Sequence, residues 1–308
     1  MANVFLKSQK LVDVGLELLA RDVVIPALVW RDAAGDFAGA ADSTISIRVP
    51  ARTTARTRPL GQARPTASEG NGIITMDELV EQKVDVTLTD AVYSAVAITD
   101  EQQELDIVNF GRQVLAPQVS AVAEGCENAL TAEMVGATYK TTLTLDAADP
   151  YKTLVDAHVA LNKANVPRDG RVVLAGADIE GAILKSDRLS RVDHSGSDAA
   201  LRRAEIGNLA RFPVYVSNAL PADFAVAFHR TAFVLSMRAP KKPEGATYGT
   251  STSKNGLAMR HIKDYDFRNV QDRSLVDVYI GTNIVTDQDG PDADTDRDFV
   301  RAVKITAA

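Results

Sequence analysis

Arg48, Arg52, Arg56, Arg58 and Arg64 crowd one short stretch, and no acidic residue occurs between Asp42 and Glu69. A guanidinium is permanently charged and its planar fork matches carboxylate or phosphate in two-toothed geometry, so such a run points to binding rather than to proton transfer. Three readings compete: a solvated loop, a nucleic-acid grip, and a contact with an acidic protein surface. No aromatic residue is interleaved among the arginines to stack on bases, which argues against single-stranded nucleic acid. The whole chain carries a formal net charge of −7 and a pI near 5.2, so it has acid in excess, which argues against a protein whose main task is gripping nucleic acid and leaves room for a local basic surface. Docking of the arginines on an acidic surface of another copy is the preferred reading.

Other chemistry-bearing residues lack the spacing that chemistry needs. Asp287, Asp289, Asp292, Asp294, Asp296 and Asp298 resemble a calcium loop in density, but the glycine and closing glutamate of an EF-hand are missing and Arg297 intrudes. A solvated acidic loop is expected there. His158, His194, His229 and His261 show no metal-ligand spacing and read as structural. Gly170 to Gly176 has neither the glycine pattern nor the lysine of a phosphate-cradling loop. The lone cysteine, Cys126, excludes an intramolecular disulfide and falls on an apolar stripe, where it reads as a small packed hydrophobe. No nucleophile with its base can be assembled, no cofactor is implied, and the chain is not expected to be an enzyme.

The stretch that organises the rest runs from Thr99 to Met134. Thr99 and Gln102 form a capping-box pattern, and Leu105, Val108, Leu115, Val119, Val122, Cys126, Leu130 and Met134 recur at helical steps. A helix of this extent would be about 50 Å long, with a kink expected at Pro117 and a stop at Gly136. Ahead of it, Ile45, Ile47 and Val49 alternate as a strand ending at Pro50. From Val84 an even-numbered alternation runs through Val86, Leu88, Val92, Val96 and Ile98, one long strand bent near Asp90. Between them, residues 51–72 hold Leu60 as the only large apolar side chain, with Pro59, Gly61, Pro65, Gly70 and Gly72 as turn signals. Two strands and a basic tip therefore make one long projecting hairpin.

Residues 3–30 read as an amphipathic helix with Pro26 near its end. Asp13, Glu17, Arg21 and Asp22 exclude a signal sequence or a membrane span, so a cytosolic site of synthesis and work is expected. After the spine, Asp149-Pro150 opens a helix whose buried side is read as Leu154, Val155, Val159 and Leu161. Arg171 to Ala175 is a buried strand, Asp178 to Leu184 a short helix, and residues 186–204 a polar, mobile stretch. Val214 and Val216, then Phe224, Val226 and Phe228, are strands, with Thr231 to Met237 a short helix or strand. Pro240 to Asn255 reads as a surface loop. Val276, Val278, Ile280 and Ile284 alternate beyond it, as do Phe299, Val303 and Ile305. At 308 residues the chain is long enough for one elaborate domain or two intertwined α/β or α+β units.

This order of elements resembles the Hong Kong 97-like coat fold of tailed-bacteriophage major capsid proteins, in the branch of podoviral coats and many actinobacterial phages. The local text that carries the resemblance is Val84–Leu88 (VDVTL), Ala97–Glu101 (AITDE), Pro167–Leu174 (PRDGRVVL), Ile206–Ser217 (IGNLARFPVYVS) and Ala225–Phe233 (AVAFHRTAF). It implies an α+β chain divided into an N-terminal arm (1–44), an extended loop (45–90), a peripheral domain with the spine helix (91–145), an axial domain (146–235) and returning strands (236–308). The implied function is structural: self-assembly as hexamers and pentamers into an icosahedral shell that encloses a phage genome. By the resemblance, the extended loop lies across a neighbouring subunit, which assigns Arg48, Arg52, Arg56, Arg58 and Arg64 to intersubunit contact.

Some relatives crosslink their shells through a lysine of this loop. Residues 48–82 contain none, so non-covalent stabilisation is implied. The implied partners are further copies of the chain, a separate scaffolding protein, a portal protein and, optionally, a cement protein. DNA is enclosed without sequence-specific contact, no membrane takes part, and the mature location is the virion after assembly in host cytoplasm. Three alternatives stay open: an encapsulin-like compartment with the same fold, an α/β enzyme with an unrecognised site, and a soluble adhesin or tail component.

Overall fold

A computed structural model describes residues 25–31, 44–49, 55, 82–106, 110–186, 208–254, 257–288 and 297–307. Two sheets share one core, and a helix is laid between them. The larger sheet has six strands in the order β4 (Thr141–Thr144), β15 (Ala302–Thr306), β8 (Phe224–His229), β5 (Arg171–Ala175), β7 (Phe212–Val216) and β6 (Asn208–Leu209). Every residue of β5 is buried, because alternate side chains enter different cores. Val173 and Ala175 meet Ala225, Ala227, Val303 and Ile305 under the helices Pro150–Lys163 and Ala177–Leu184, whereas Val172 and Leu174 join Val226, Phe228 and the spine helix.

The second sheet runs β10 (Tyr248–Lys254), β11 (Leu257–Asp266), β12 (Gln271–Ile284) and β3 (Asp90–Thr99), and β9 (Phe233–Arg238) pairs with the far half of β12. Val276, Val278 and Ile280 of β12 face the spine stripe of Val119, Val122, Cys126, Leu130 and Met134, all of them buried. The capping box forms as the sequence predicts: Gln102 N donates to Thr99 Oγ1 at 3.4 Å and Thr99 N to Gln102 Oε1 at 3.2 Å. The helix is not uniform, however. Residues 102–106 and 111–115 have the wide π hydrogen-bond pattern, and the regular α-helix is the 21-residue run Ala116–Gly136, about 30 Å long. Pro117 is the second residue of that run, directly after the π segment Gly111–Leu115, so it stands where the helix changes type.

Several other expectations change. The long strand from Val84 to Ile98 is two strands, β2 (Gln82–Thr87) and β3, which belong to different sheets. The break at Leu88-Thr89 is held by a hydrogen bond from Thr89 N to the Ile280 carbonyl, 3.0 Å. On the helix Pro150–Lys163 the buried side is Thr153, Leu154, Ala157 and Leu161; Val155 is half-buried and Val159 exposed, since the stripe follows steps of three and four from Leu154. The stretch read as a loop at 240–255 contains edge strand β10, and β11 follows it. Of the two readings open for Thr231 to Met237, helix or strand, the chain adopts the strand, as β9.

Asp287 is not solvated: it is 7 % exposed and forked by Arg301 at 2.6 Å. It opens the short strand β13 (Asp287–Gln288), which pairs antiparallel with β14 (Arg297–Asp298). Of the N-terminal helix, Ile25–Leu28 is described, with Pro26 inside it. The helix ends at Leu28, before Trp30 bridges to Val234; residues 3–24, the polar stretch after Ser186 and His194 lie outside the described residues.

Candidate assembly surface

The arginine-rich stretch springs from a two-stranded ribbon, β1 (Thr44–Val49) against β2, in the register Arg48↔Lys83 and Ile47↔Val84. Period-2 alternation gives the ribbon a greasy and a wet face. Ile47, Val84 and Val86 pack on Val234, Val285 and Trp30, while Thr44 and Thr87 hydrogen-bond on the outer face at 2.9 Å. Also on the outer face, the Ser46 hydroxyl and the Lys83 ammonium, 3.2 Å away, hold the Asp85 carboxyl below its usual range. Arg48 lies within β1; Arg52, Arg56, Arg58 and Arg64 lie outside the described residues. The structure thus provides the root of the hairpin and the place where the basic stretch leaves and returns, at Val49 and Gln82.

That root is fixed by backbone contacts. A Cβ at Gly281 would overlap the Thr87 carbonyl, so only glycine lets β12 pass this close under the end of β2. Asn283 Nδ2 donates to the Asp85 carbonyl at 2.6 Å beside it. The residues after the short Ile25–Leu28 turn lock on from the other side: Trp30 N donates to the Phe233 carbonyl at 3.1 Å, and Leu235 N donates to the Trp30 carbonyl at 3.0 Å. Ile25 N donates to Glu127 Oε1 of the spine helix at 3.1 Å. The N-terminal segment, the ribbon and the spine helix therefore converge on β9 and β12.

The other singled-out residues are built into the body. His229 Nδ1 accepts from Thr231 N at 3.3 Å, and Thr231 Oγ1 accepts from Arg301 at 2.8 Å while contacting the same imidazole at 2.8 Å. Burial, opposed by a backbone hydrogen bond at Asp169 and aided by Arg301, Arg171 and Arg230 nearby, lowers its pKa. His158 lies against the Arg171 guanidinium, and its pKa is likewise lowered by burial and by arginines. His261, 2 % exposed, is enclosed between sheet and spine, with its pKa lowered to about 4 by burial and then by Lys263. Burial pushes the Cys126 thiol up to about 12, which removes it from thiolate chemistry near neutrality.

Among the described residues, no three of His, Cys, Asp and Glu gather to hold a metal ion, and no helix is long and apolar enough to cross a membrane. What sequence reasoning missed is the buried polar seam of Gln118, Ser274 and His261. Its one signal was a glutamine on the inner face of a largely apolar helix.

No protein-family model matches the chain, and no curated protein matches it in sequence. Solved structures do match. One from Mycobacterium phage Che8 superposes with a TM-score of 0.66 and 21% identity, covering 92% of this chain and 90% of that one. The capsid structure of the cyanophage P-SCSP1u gives 0.58 and 12%, covering 87% and 84%. The mature capsid of bacteriophage PhiM1 gives 0.58 and 13%, covering 86% and 82%. The order of ribbon, spine helix and two sheets, matched over most of both chains, gives this chain the Hong Kong 97-like phage capsid fold.

Proposed function

We propose that the chain is a structural major capsid protein that assembles as hexamers and pentamers into an icosahedral phage shell. The observation that carries this reading is the fold itself, shared over more than four-fifths of each chain with capsid structures from a cyanophage and from bacteriophage PhiM1. The rooted ribbon supports it. A shell subunit needs no reacting group; it needs large surfaces that complement those of its copies through heterologous contacts that close. A ribbon fastened at its base to β9 and β12, leading into a lysine-free and acid-free arginine stretch, suits that task.

In this reading residues 1–44 are the arm, 45–90 the extended loop, 91–145 with later strands the peripheral domain, and 146–235 with the last strands the axial domain. Arg48, Arg52, Arg56, Arg58 and Arg64 bind carboxylates on a neighbouring subunit, and the shell is held without covalent crosslinks. The chain is not an enzyme, and its net negative charge of −7 suits a wall that must not grip the DNA it contains. Scaffolding and portal proteins act as partners during assembly in the host cytoplasm, and the finished location is the virion.

Negative-stain electron microscopy of the protein expressed with and without its scaffolding partner tests this. Closed particles tens of nanometres across are expected, and deletion of Arg52 to Arg64 should leave a folded chain that closes none. Particles of one or two subunits under every condition overturn the reading. Normal shells from the deletion overturn the arginine assignment alone, and an enzyme enclosed in the shells in place of DNA redirects the function to a cargo compartment.

A further inference from the structure

The turn between β11 and β12 is a rigid finger. Asp266 accepts from Arg268 N through Oδ1 and from Asn269 Nδ2 through Oδ2, both at 2.9 Å, and Tyr265 donates to Asp100 at 2.8 Å. The Tyr265 and Phe267 rings meet edge to face at 5.1 Å. Val270 is held at φ +53°, a strained setting for a β-branched residue that persists only when its surroundings dictate it. The fastened tip carries Phe267 at 86 % exposure, Val270 at 56 %, and an exposed Arg268. An aromatic and an arginine side by side on a pre-organised turn have the composition and rigidity of an interface anchor, because little freedom remains to be lost on docking.

At the other end of β12, where it pairs with the start of β3 beside the spine helix, is a cleft of about 480 Å³. Its accessible apolar lining is Ala129 and Ala132, with Ile280 buried below them, and Asp90 and Glu133 supply carboxylates, the former accepting from Thr89 Oγ1 at 2.8 Å. No lysine or arginine among the described residues forms an ion pair with either acid. The register runs from Gln271↔Thr99 at the finger to Ile280↔Asp90 at the cleft, so about 30 Å of sheet separates them and the finger cannot fold back into its own cleft.

We propose that the finger of one copy docks in the cleft of a second copy, with the Phe267 ring on Ala129 and Ala132 and the Arg268 guanidinium between Asp90 and Glu133. Charge selects the occupant: two carboxylates beside two alanine side chains take a cation flanked by an aromatic ring. Donor and acceptor sit at opposite ends of one strand pair, so the contact is head to tail and repeats from copy to copy, as ring formation requires. The inference rests on the capsid reading and names a contact surface for it.

The test uses the full chain with its scaffolding partner. Arg268→Cys combined with Ala132→Cys should give an intersubunit disulfide ladder on non-reducing gels of assembled particles, with the buried Cys126 silent. Arg268→Glu should raise the protein concentration needed for assembly about tenfold, and adding Glu133→Arg should restore most of it. Shells that form normally with Arg268→Glu and Phe267→Ala and show no ladder overturn the finger contact and leave the capsid reading intact. Failure of the unaltered protein to form shells under any condition overturns the capsid reading instead.

Discussion

His261 Nε2 lies 3.1 Å from Ser274 Oγ, and the proton of that hydroxyl is already committed to Gln118 Oε1 at 2.8 Å. The amide of Gln118 is committed too, donating to the Ser94 and Ser274 carbonyls at 3.1 and 3.0 Å. Ser274 must therefore accept from the imidazole, which makes His261 the Nε2–H tautomer and leaves Nδ1 as a bare, buried lone pair without a partner.

Protonating that nitrogen would bury a charge and an unanswered N–H. Around the imidazole stand the Phe110 and Tyr248 rings and Lys263, the last ion-paired with Asp272 at 2.7 Å. The pKa is lowered from 6.5 to about 4. The unfolded chain takes up this proton below about pH 6.5 and the folded chain only near pH 4. Stability is therefore unaffected by this group above 6.5 and falls across that window, by about 3 kcal/mol at most. Thermal unfolding followed from pH 7 to pH 4 should show the decline, and His261→Leu should flatten it. An equally steep decline in the variant would assign the acid sensitivity elsewhere.

Asp287 and Arg301 form a second buried pair, with side chains 10 % and 18 % exposed. Asp287→Ala strands the guanidinium against Thr231 and should cost about 3–5 kcal/mol, whereas replacing both partners with leucine and methionine should cost markedly less. Urea denaturation of the single and double variants measures the difference. Equal losses would show that packing volume, not the orphaned charge, sets the cost.

These two seams mark where the sequence stopped being legible. The apolar stripe from Leu115 to Met134 and the alternation in Val276, Val278 and Ile280 were readable because burial repeats at a fixed period. β11 was not, because its inward positions Leu257, Met259 and His261 end in a residue that counts as polar in any alternation. β10 is an edge strand built from threonine and serine, with no apolar signature to read. The split between β2 and β3 was hidden for a different reason. The even-numbered apolar pattern continues unbroken through Leu88, and only the tertiary pairing of Thr89 with Ile280 shows that the chain changes sheets. As for the candidate surface, the arginine cluster was plain in the sequence, but the finger was not: Phe267 and Val270 are ordinary apolar residues until the turn that exposes them is known.

Gly281 makes the change of sheets physically possible, and it offers a direct probe of the hairpin root. Its missing side chain is occupied by the Thr87 carbonyl, a backbone atom that cannot rotate away. Gly281→Ala should cost about 1–3 kcal/mol and loosen the ribbon more than the spine. Hydrogen exchange should accelerate at residues 82–87 while staying slow at 119–134. Uniform acceleration across both would mean that the root and the spine open as one unit.

Cys126 reports on the spine itself. Its thiol is 1 % exposed within the core shared by Val122, Leu130 and Val278, and burial holds its pKa near 12. A thiol reagent at pH 8 can reach it only when the helix lifts from the sheet, so its labelling rate measures that opening and not the intrinsic chemistry of the thiol. Labelling in the folded chain should be slower than in the denatured chain by a factor of about a thousand or more. His261→Leu, which removes the imidazole that clasps Ser274 beside Gln118, should speed it at constant pH. Phe267→Ala, confined to the exposed finger, should leave the unassembled chain's rate unchanged. Rapid labelling of the folded wild-type chain would show that the helix is not clamped against β12 in solution, and the Gln118–Ser274–His261 seam would then lose its role as the clasp.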